Sequence, residues 1–408
     1  MPSISSKQLI LIGHFNLKPV NPKLRVLFLP HWYPNRYDPM PGLFIQRQAE
    51  ALTPFCDVAV VYVHPDPDCP NKYEAEFAEE NEVRVLRVYF KVPAKGSSVF
   101  SKLLKHYRFY RANKRAVRSI RKFSPDLVHA HILTRMGILA YRVSREMKIP
   151  FVISEHWSRY FPQNNTYHGW IRGCITRFVV KRAAAVIAVS GILKQAMENC
   201  RLNNPNYHIV HNVVDENLFL PSSEVNSSSV KTIIHISCFE DRSKNISGFL
   251  RSVKALAEVR KDFQCLLVGD GPDWNVLQDL ACSLGVKDTF VRFTGLKTDS
   301  DLVNLLNTAD FLVLSSRYET FASVVVESLS CGIPVVATRV GIVPEVINGN
   351  NGMMVSPEDD QSLTEAMNRM LDLCRSFDKA TVRATVSGKF SPENIGARIK
   401  DIYIKSIS

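Results

Sequence analysis

Residues 310–338 read DFLVLSSRYETFASVVVESLSCGIPVVAT and contain one complete structural unit of the fold. The apolar, β-branched run that ends near Ser316 predicts a buried strand, and a short polar loop leads from it to a predicted helix over 322–331. Gly332 suits the left-handed residue that commonly follows a helix, and Pro334 begins the next apolar run. Two short apolar strands joined by a helix predict a parallel strand–helix–strand unit.

The same alternation continues through the chain in both directions. Before a polar linker, the predicted strands are 24–30, 57–63, 83–88, 126–131, 150–154 and 185–189. After the linker, they are 231–237, 263–269, 289–293, 310–316, 334–338 and 352–355. This pattern is typical of doubly wound parallel sheets, so we predict an α/β protein with two Rossmann-like domains. Ligands bind beyond the carboxyl ends of such strands, so a cleft between the domains is the predicted active site.

The domain boundaries follow from a change in composition. The run PSSEVNSSSV is polar, rich in Ser and without periodicity, which is typical of a linker. We predict an N-terminal extension over 1–22, a first domain over 23–215, the linker over 216–230, a second domain over 231–388, and a C-terminal helix over 389–408 that packs back on the first domain.

The composition excludes several classes of protein. With 46% hydrophobic and 22% charged residues, the chain is globular and neither disordered nor fibrous. The 51 Lys and Arg outnumber the 39 Asp and Glu, and the net charge of +12 favours anionic partners. The nine Cys form no CxxC pair and are predicted to be reduced, as in a cytoplasmic protein. No apolar run reaches the ~20 residues that a membrane span needs.

Two carboxylates flank the predicted helix of the opening stretch. Glu319 precedes the helix, whose free N–H groups and dipole suit a diphosphate. Glu327 follows eight residues later, about 12 Å along a helix, so the two carboxylates are predicted to hold different parts of one ligand. The alternative is that Glu319 caps the helix and Glu327 is solvated.

Two further loops follow predicted strands of the second domain. The loop after 231–237 carries Arg242 and Lys244, which can neutralise a phosphate or form a surface ion pair. Gly269 and Gly271 permit close backbone approach, but Trp274 stands where a dinucleotide fingerprint has its third glycine.

In the first domain, the candidates are one glycine and three histidines. Gly42 precedes a predicted helix in a Pro-rich loop. His129 and His131 alternate onto one face of a strand, and His156 follows the next strand end. The histidines are either satisfied core residues or ligand contacts, and their spacing does not support a zinc site.

Two DxD strings are weak metal candidates. Asp66 and Asp68 are separated by a proline, and Asp299 and Asp301 resemble the start of a helix. We therefore expect no metal and no other cofactor.

A basic segment lies at 102–122 and reads KLLKHYRFYRANKRAVRSIRK. Leu103, Tyr107, Tyr110 and Val117 recur at near-helical spacing, which predicts a basic amphipathic helix. It either lies on an anionic membrane surface or packs with a solvated basic face. A nucleic-acid site is less favoured because no recognisable binding module surrounds it.

Taken together, the motifs of the second half resemble a known family. They are the strand and KN-containing helix at 231–250, LLVGDGP at 266–272, FTG at 293–295, and the Glu-x7-Glu stretch at 310–338. Looser matches in the first half are HWYP with PGLF, DLVHAH, AVIAVS and HNVVD. The chain resembles GT4-type retaining glycosyltransferases, the glycosyl transferases group 1, whose fold is called GT-B. This fold consists of two Rossmann-like domains that face each other across a deep cleft.

The resemblance implies roles for individual residues. Glu319 would contact sugar hydroxyls, and the amides of Thr320 and Phe321 would face the donor. Glu327 would bind the ribose, and Lys244 would neutralise the diphosphate. We also expect donor contacts from Arg242, Gly269, Gly271, Gly295, Leu296 and Ala322.

On the other side of the cleft, the loop of Gly42 would approach the phosphates. His131 would line the sugar pocket as a catalytic residue beside Glu319 and Lys244, and His156 and His129 would lie on the acceptor side. In two places the chain departs from the family pattern: Phe239 occupies the position of a common Arg, and Val213 follows Asn212 where Gly is usual.

The implied function is metal-independent, retaining transfer of a hexose-type sugar from a UDP- or GDP-sugar to a saccharide or polyprenyl-linked acceptor. Bacterial capsule, O-antigen or exopolysaccharide synthesis is the expected pathway, at the inner face of the cell membrane. The alternatives are a nucleotide-sugar epimerase or hydrolase of the same fold, and a non-catalytic nucleotide or nucleic-acid binder.

Overall fold

The computed structural model describes residues 23–92, 99–222 and 228–408. The predicted extension over 1–22 and the centre of the Ser-rich linker, 223–227, lie outside these residues. The predicted α/β architecture is confirmed, because the described chain forms two sheets flanked by helices.

The N-terminal sheet has the strand order β3-β4-β2-β1-β5-β6-β7-β8. Its strands are β1 Leu24–Pro30, β2 Cys56–Asp66, β3 Tyr73–Glu80, β4 Val83–Lys91, β5 Leu127–His131, β6 Phe151–Glu155, β7 Ala185–Ala188 and β8 Tyr207–Ile209. Its helices are α1 Leu43–Leu52, α2 Val99–Ser119, α3 Leu133–Met147, α4 Trp170–Arg182 and α5 Gly191–Asn199, with 3-10 turns at Arg121–Phe123 and Ser158–Tyr160. Its strand pairs are parallel except for β3 with β4.

The C-terminal sheet is parallel, with the order β11-β10-β9-β12-β13-β14. Its strands are β9 Lys231–Ile236, β10 Phe263–Val268, β11 Val291–Gly295, β12 Phe311–Leu314, β13 Val335–Thr338 and β14 Gly352–Val355. The helices that follow β8 are α6 Asp241–Lys244, α7 Ile246–Val259, α8 Trp274–Ser283, α9 Asp299–Thr308, α10 Ser323–Ser330, α11 Val343–Val346, α12 Asp360–Leu373, α13 Lys379–Ala384 and α14 Pro392–Ile407, with a 3-10 turn at Cys374–Ser376.

The strand β3 was not predicted, because it lacks an apolar run. Its sequence YEAEFAEE forms the antiparallel edge of the sheet, where Glu76 and Glu79 lie opposite Arg87 and Arg84 of β4. Opposite charges across neighbouring strands compensate for the low apolar content. A strand can thus form at an edge on pairing alone, without the burial that marks central strands.

The last helix, α14, packs on α1 of the first domain. A Cβ atom on Gly396 would lie 2.1 Å from the carbonyl oxygen of Ala51, so the two helices approach at backbone distance. The Tyr403 hydroxyl lies 2.6 Å from His129 Nδ1 in the core. The chain end therefore ties the two domains together.

Apolar contacts also continue from one domain to the other. A single buried cluster contains Val214 and Phe219 as well as Phe321 and Phe390, and the Val214 amide donates to the Phe390 carbonyl at 3.0 Å. The domains therefore share part of their core beside the cleft. Among the described helices, none is at once long enough and apolar enough to cross a membrane.

Candidate active site

A cavity of about 760 Å³ lies between the two domains, at the carboxyl ends of strands from both sheets. From the first domain, its wall includes Leu43, Phe44, Arg47, His156 and Asn212. From the second domain, its wall includes Lys244, Gly269, Gly271, Leu296, Glu319, Thr320, Phe321, Ala322 and Glu327. Most of the predicted donor-binding residues therefore meet at one cleft.

The amino end of α10 faces this cavity. Ala322 takes the left-handed conformation with φ 74°, which turns the chain into the helix, and the first turn contains no acidic residue. The carbonyls of the preceding residues are already bound, since Thr320 accepts from Ser190 Oγ at 2.5 Å and Phe321 accepts from the Ile342 amide at 2.8 Å. The N–H groups at the start of a helix carry positive partial charge, so this end of α10 is suited to an anion in the cavity.

The wall of the cavity carries a buried ion pair. Lys244 Nζ lies 2.6 Å from Glu319 Oε1, which also accepts a hydrogen bond from Ser316 Oγ at 2.9 Å. The two side chains are only 17% and 11% exposed. Burial is the largest influence and lowers the pKa of Lys244, but Glu319, Cys238 and Glu240 together outweigh it, so the net pKa is raised. Lys244 is therefore a fixed cation at the cavity.

The second carboxylate has a different partner. Glu327 Oε1 lies 3.7 Å from Arg47 Nη1 of α1, so this contact bridges the two domains. Burial raises the pKa of Glu327, and Arg47 opposes that shift. Glu319 and Glu327 thus line one cavity while each is held by its own cation.

The glycines after β10 are required by packing of the backbone. A Cβ on Gly269 would lie 1.9 Å from the Ser237 carbonyl oxygen, and one on Gly271 would lie 2.7 Å from the Phe239 amide nitrogen. Phe239 itself is fully buried and stacks on Trp274 at 5.3 Å. The two loops therefore approach each other closely, and Phe239 replaces the usual Arg with a core contact.

Gly42 has a similar packing role. Its φ is 80°, and a Cβ there would lie 2.4 Å from the carbonyl carbon of Trp32. It precedes Leu43, the first residue of α1 and part of the cavity wall. Gly42 therefore positions the wall without lining the cavity itself.

The three histidines lie at different depths. His129 is fully buried and is bonded on both nitrogens, to Tyr403 and to Ser154, so it belongs to the core and does not reach the acceptor side as predicted. His131 lies between His129 and His156, and its Nδ1 is 3.4 Å from His156 Nε2. Burial lowers the pKa of His131 well below its ordinary value and that of His156 to about 3.

His156 lines the cleft, whereas His131 is fully buried and stacks on His156, so it does not line the sugar pocket as predicted. Within the described chain, His131 Nε2 is buried without a hydrogen-bond partner, and the side chains of His156 and Asn212 interact with each other. Buried polar atoms of this kind are costly unless a ligand or water pairs with them. His156 and Asn212 are therefore polar side chains of the first domain that face the cavity.

Other predicted contacts do not reach the cavity wall. Arg242 points to the first domain and donates to the Asn164 carbonyl at 2.6 Å, so the predicted phosphate contact is replaced by an interdomain hydrogen bond. Gly295 ends β11 with φ 74°, and only its neighbour Leu296 lines the cavity.

The two DxD strings also take other roles. Asp66 is buried and accepts from Arg36 at 2.5 Å and from the Asp68 amide at 2.8 Å. Cys69 and Glu74 lie near enough to Asp66 to share a metal ion, but Arg36 already supplies a cation to both carboxylates. Asp299 and Asp301 lie in the first turn of α9 after the cap residue Thr298, and Asp299 also lines the cavity.

Comparison with known families identifies this arrangement. Residues 230–373 match the family model Glycosyl transferases group 1, and residues 43–218 match Glycosyltransferase Family 4. The two matches cover the two domains in turn.

The chain is a GT4-type glycosyltransferase.

Curated relatives of this glycosyltransferase act in different syntheses. It is 29% identical over 297 residues to the N-acetyl-alpha-D-glucosaminyl L-malate synthase of Bacillus anthracis, a match of 68% of this chain and 74% of the relative. It is 32% identical over 173 residues to the O-antigen chain mannosyltransferase B of Escherichia coli, with 42% and 45% covered.

Solved structures show the same GT-B fold. Sucrose-phosphate synthase from Thermosynechococcus elongatus superposes with a TM-score of 0.76 at 18% identity, covering 94% of this chain and 99% of that one. Anabaena HepE in complex with UDP and glucose gives 0.69 at 18% identity, with 93% and 98% covered. At this identity the likeness establishes the fold and no further property.

Sequence reasoning missed two residues of this glycosyltransferase site. Arg47 lies inside the predicted helix of the first domain, and only the closed arrangement of domains brings it to Glu327. Asn212 was noted for the residue that follows it, whereas its own side chain lines the cavity. The only sequence signal for Arg47 is that it is a charged residue one turn into a helix, and that this helix follows the loop of Gly42.

Proposed function

We propose that this glycosyltransferase moves a hexose-type sugar from a UDP- or GDP-sugar to a saccharide or lipid-linked acceptor, with retention of anomeric configuration. The buried Lys244–Glu319 ion pair beside the amino end of α10 is the observation that carries the proposal. A solved structure of similar fold, Anabaena HepE, binds UDP and glucose, which supports a nucleotide-sugar donor.

The second domain supplies the charge that the reaction needs. When the glycosidic bond to the diphosphate breaks, negative charge accumulates on the leaving phosphate. Lys244 and the N–H groups of α10 are fixed in place before the reaction, so they stabilise that charge without reorganisation. Glu319 shares Lys244 and accepts hydrogen bonds from sugar hydroxyls, while Glu327 accepts them from the ribose.

The first domain holds the groups that meet the sugar and the acceptor. His156 and the His131 that stacks on it are neutral because burial lowers the pKa of each, so His156 can donate and accept hydrogen bonds without adding charge. The leaving phosphate, on the same face of the sugar as the incoming hydroxyl, is the base that accepts the acceptor proton. Closure of the domains keeps water from competing for the donor.

A donor screen tests this function. Calorimetric titration with UDP- and GDP-sugars should show one that binds, and incubation with acceptors should give a glycoside of the same anomeric configuration as the donor. Activity should persist in EDTA, since Lys244 and α10 provide the positive charge. Turnover of the donor to an epimer without acceptor, or binding to none of the donors, would contradict the proposal.

We also propose that the acceptor side faces an anionic membrane, as in surface-polysaccharide synthesis. The basic helix α2 buries Ala112, Ala116 and Val117, whereas Tyr107 and Tyr110 are exposed beside its cations. Its predicted apolar stripe therefore lies only partly in the core. The relative named for O-antigen mannosyl transfer supports this pathway.

A second helix extends that surface. α4 exposes Trp170, Ile171 and Phe178, with Trp170 79% accessible. The two helices are joined through α3, since Arg142 lies over Tyr110 at 5.1 Å and Tyr141 contacts Phe178 at 5.3 Å. Exposed aromatic residues among Lys and Arg favour the interface of an anionic bilayer.

Vesicle sedimentation tests this surface. Wild-type protein should bind vesicles that contain phosphatidylglycerol at low salt, and Trp170→Ala with Ile171→Ala should weaken binding by about tenfold, since buried apolar area is lost. The control Val259→Ala removes an exposed apolar residue of the second domain and should bind normally. Equal sedimentation of all variants, or none by wild type, would exclude this surface.

A further inference from the structure

Three arginines lie together on the first domain, beyond the ends of β5 and β6. Arg135 is in α3, Arg159 is in the turn Ser158–Tyr160, and Arg172 is in α4. They are close enough that Arg172 and Arg135 each lower the pKa of Arg159, and Arg172 lowers that of Arg135, in addition to the larger effect of burial. We call these three residues the arginine cluster.

Arg159 is the buried member of the cluster. It is only 7% exposed, and its Nε is among the described buried atoms that lack a hydrogen-bond partner. Its guanidinium lies 3.7 Å from the centre of the Trp157 ring and donates through Nη1 to Thr134 Oγ1. A cation this deeply placed is costly unless an anion pairs with it.

No carboxylate of the described residues forms an ion pair with the cluster. Of the segments outside the described residues, 1–22 and 93–98 contain no Asp or Glu, and 223–227 contains Glu224. Glu155 acts on Arg159 through space, but its oxygens accept from the amides of Leu133, His156 and Trp157 and from the Tyr160 hydroxyl. The cluster therefore has an excess of positive charge and an unpaired donor.

The backbone next to the cluster is strained. Ile132, which precedes α3, has φ 73° and ψ 109°, and inside α3 the helix is interrupted at Thr134 and at Arg135, whose φ is 67° and ψ −47°. Neither Ile132 nor Arg135 is a glycine, so each of these two conformations costs of order 1–3 kcal/mol. The strain places the Arg135 side chain beside Arg159 instead of continuing a regular helix.

The cluster lies beside the active-site cleft without forming its wall, and Arg159 lines a neighbouring cavity of about 520 Å³. Trp157 follows His156, which lines the cavity, and its ring packs on Trp32 at 5.0 Å and on His31 at 6.0 Å. The pKa of His31 is lowered to about 4 by burial and by Arg135 and Arg159. An aromatic floor beside cations, next to the sugar site, is suited to a polar ligand with an anionic group.

We propose that the arginine cluster binds a phosphate or carboxylate group of the acceptor, so that this glycosyltransferase acts on an anionic acceptor. The inference rests on the proposed function, because it assigns the acceptor of that same cleft. It is separate from the donor phosphates, which belong to Lys244 and α10 on the opposite wall.

Binding of small anions to the UDP-saturated protein tests this site. Inorganic phosphate, glycerol phosphate and L-malate are titrated by calorimetry, with glycerol as the neutral counterpart. At least one anion should bind, and glycerol should not. Vesicles that carry lipid phosphate are then added as competitors to distinguish a lipid-borne acceptor from a soluble one. Displacement of the bound anion indicates a lipid phosphate, and no displacement indicates a soluble acceptor.

Charge-removing variants then locate the site. Arg135→Gln and Arg159→Gln should each weaken anion binding about tenfold, as expected for loss of one charge-assisted hydrogen bond, and Arg159→Lys should restore part of it. Arg145→Gln, an exposed arginine of the same helix α3, is the matched control and should bind as wild type. UDP affinity should be the same in all variants.

Two results would overturn the proposal. One is that wild-type protein with UDP bound takes up none of the anions. The other is that the folded Arg135→Gln variant, which changes an exposed side chain, binds them as tightly as wild type. Failure of both UDP and GDP to bind would instead count against the proposed donor function, so the two failures are distinguishable; if GDP alone binds, it replaces UDP in these titrations.

Discussion

At the scale of single residues, the Lys244–Glu319 pair is held in place before any ligand arrives. Removing two charges from water costs several kcal/mol per ion, so a buried pair contributes little to stability. Its contribution is positional, since Ser316 and Lys244 both hold the Glu319 carboxylate. With Phe239 in place of the usual Arg, the cations of the second domain that line the cavity are Lys244 and Lys297.

Lys244→Ala should lower the transfer rate by about 10²-fold or more, because a fixed charge facing the leaving phosphate is lost. The control Lys254→Ala removes an exposed lysine of α7 and should leave the rate unchanged. Initial rates with purified, folded proteins measure the effect. A Lys244→Ala enzyme as fast as wild type would remove the phosphate role from this residue.

The buried histidines predict an acid sensitivity of the fold. The pKa of His129 is lowered to about 3 by burial, so the group stabilises the fold fully above its ordinary pKa of 6.5 and progressively less as pH falls towards 3. When the pH falls from 8 to 5, the unfolding free energy of His129→Gln should decrease by about 2 kcal/mol less than that of wild type.

Urea denaturation at the two pH values measures this difference. His168→Gln changes an exposed histidine and should show the wild-type pH dependence. If His129→Gln loses as much stability on acidification as wild type does, His129 is not the source of the acid sensitivity.

At the scale of elements, the strand–loop–helix stretch at 310–338 could be predicted because local sequence determines it. An apolar run, a polar loop and a helix that ends at Gly332 all agree, and the structure confirms β12, α10 and β13. Gly269 and Gly271 were recognised, but their packing against Ser237 and Phe239 depends on a second loop that is distant in sequence. Sequence patterns do not show such nonlocal contacts.

The contact between α1 and α14 gives a test at this scale. Gly396→Ala places a Cβ 2.1 Å from the Ala51 carbonyl oxygen, so the helices must separate, and we expect a loss of about 1–3 kcal/mol in unfolding free energy. Gly349→Ala is the control, since no described atom lies within 4 Å of its added Cβ. Thermal and urea unfolding measure both, and equal stabilities would mean that this contact adapts without cost.

At the scale of the whole molecule, the position of one domain on the other decides what the cavity contains. Arg47, Ser190 and Asn164 of the first domain contact Glu327, Thr320 and Arg242 of the second. None of these pairs is visible in sequence, because each joins residues more than 75 positions apart. This explains why Arg242 was assigned to a phosphate and Arg47 to no role.

Arg47→Ala should change how donor binding depends on pH. Without Arg47, less positive charge counteracts the effect of burial on Glu327, so the pKa of Glu327 rises further. The carboxylate proposed to accept hydrogen bonds from the ribose hydroxyls is then protonated at a higher pH. UDP affinity should therefore begin to weaken at a higher pH on acidification than in wild type. Calorimetry from pH 8 to pH 5 measures this, with Arg251→Ala as the control; identical profiles for Arg47→Ala and wild type would contradict the ribose role of Glu327.

The hydrogen bond from Ser190 to Thr320 has a consequence for turnover. Ser190 caps α5 and at the same time holds the carbonyl of a residue on the donor wall, and the neighbouring Gly191 amide donates to Glu345 of α11 at 3.0 Å. Separation of the two domains must break both of these hydrogen bonds, and we propose that the spent nucleotide leaves through such a separation. We therefore expect kcat to fall as glycerol or sucrose raises the viscosity of the medium. Solvent friction slows the separation of the domains, and this separation limits the rate of the catalytic cycle.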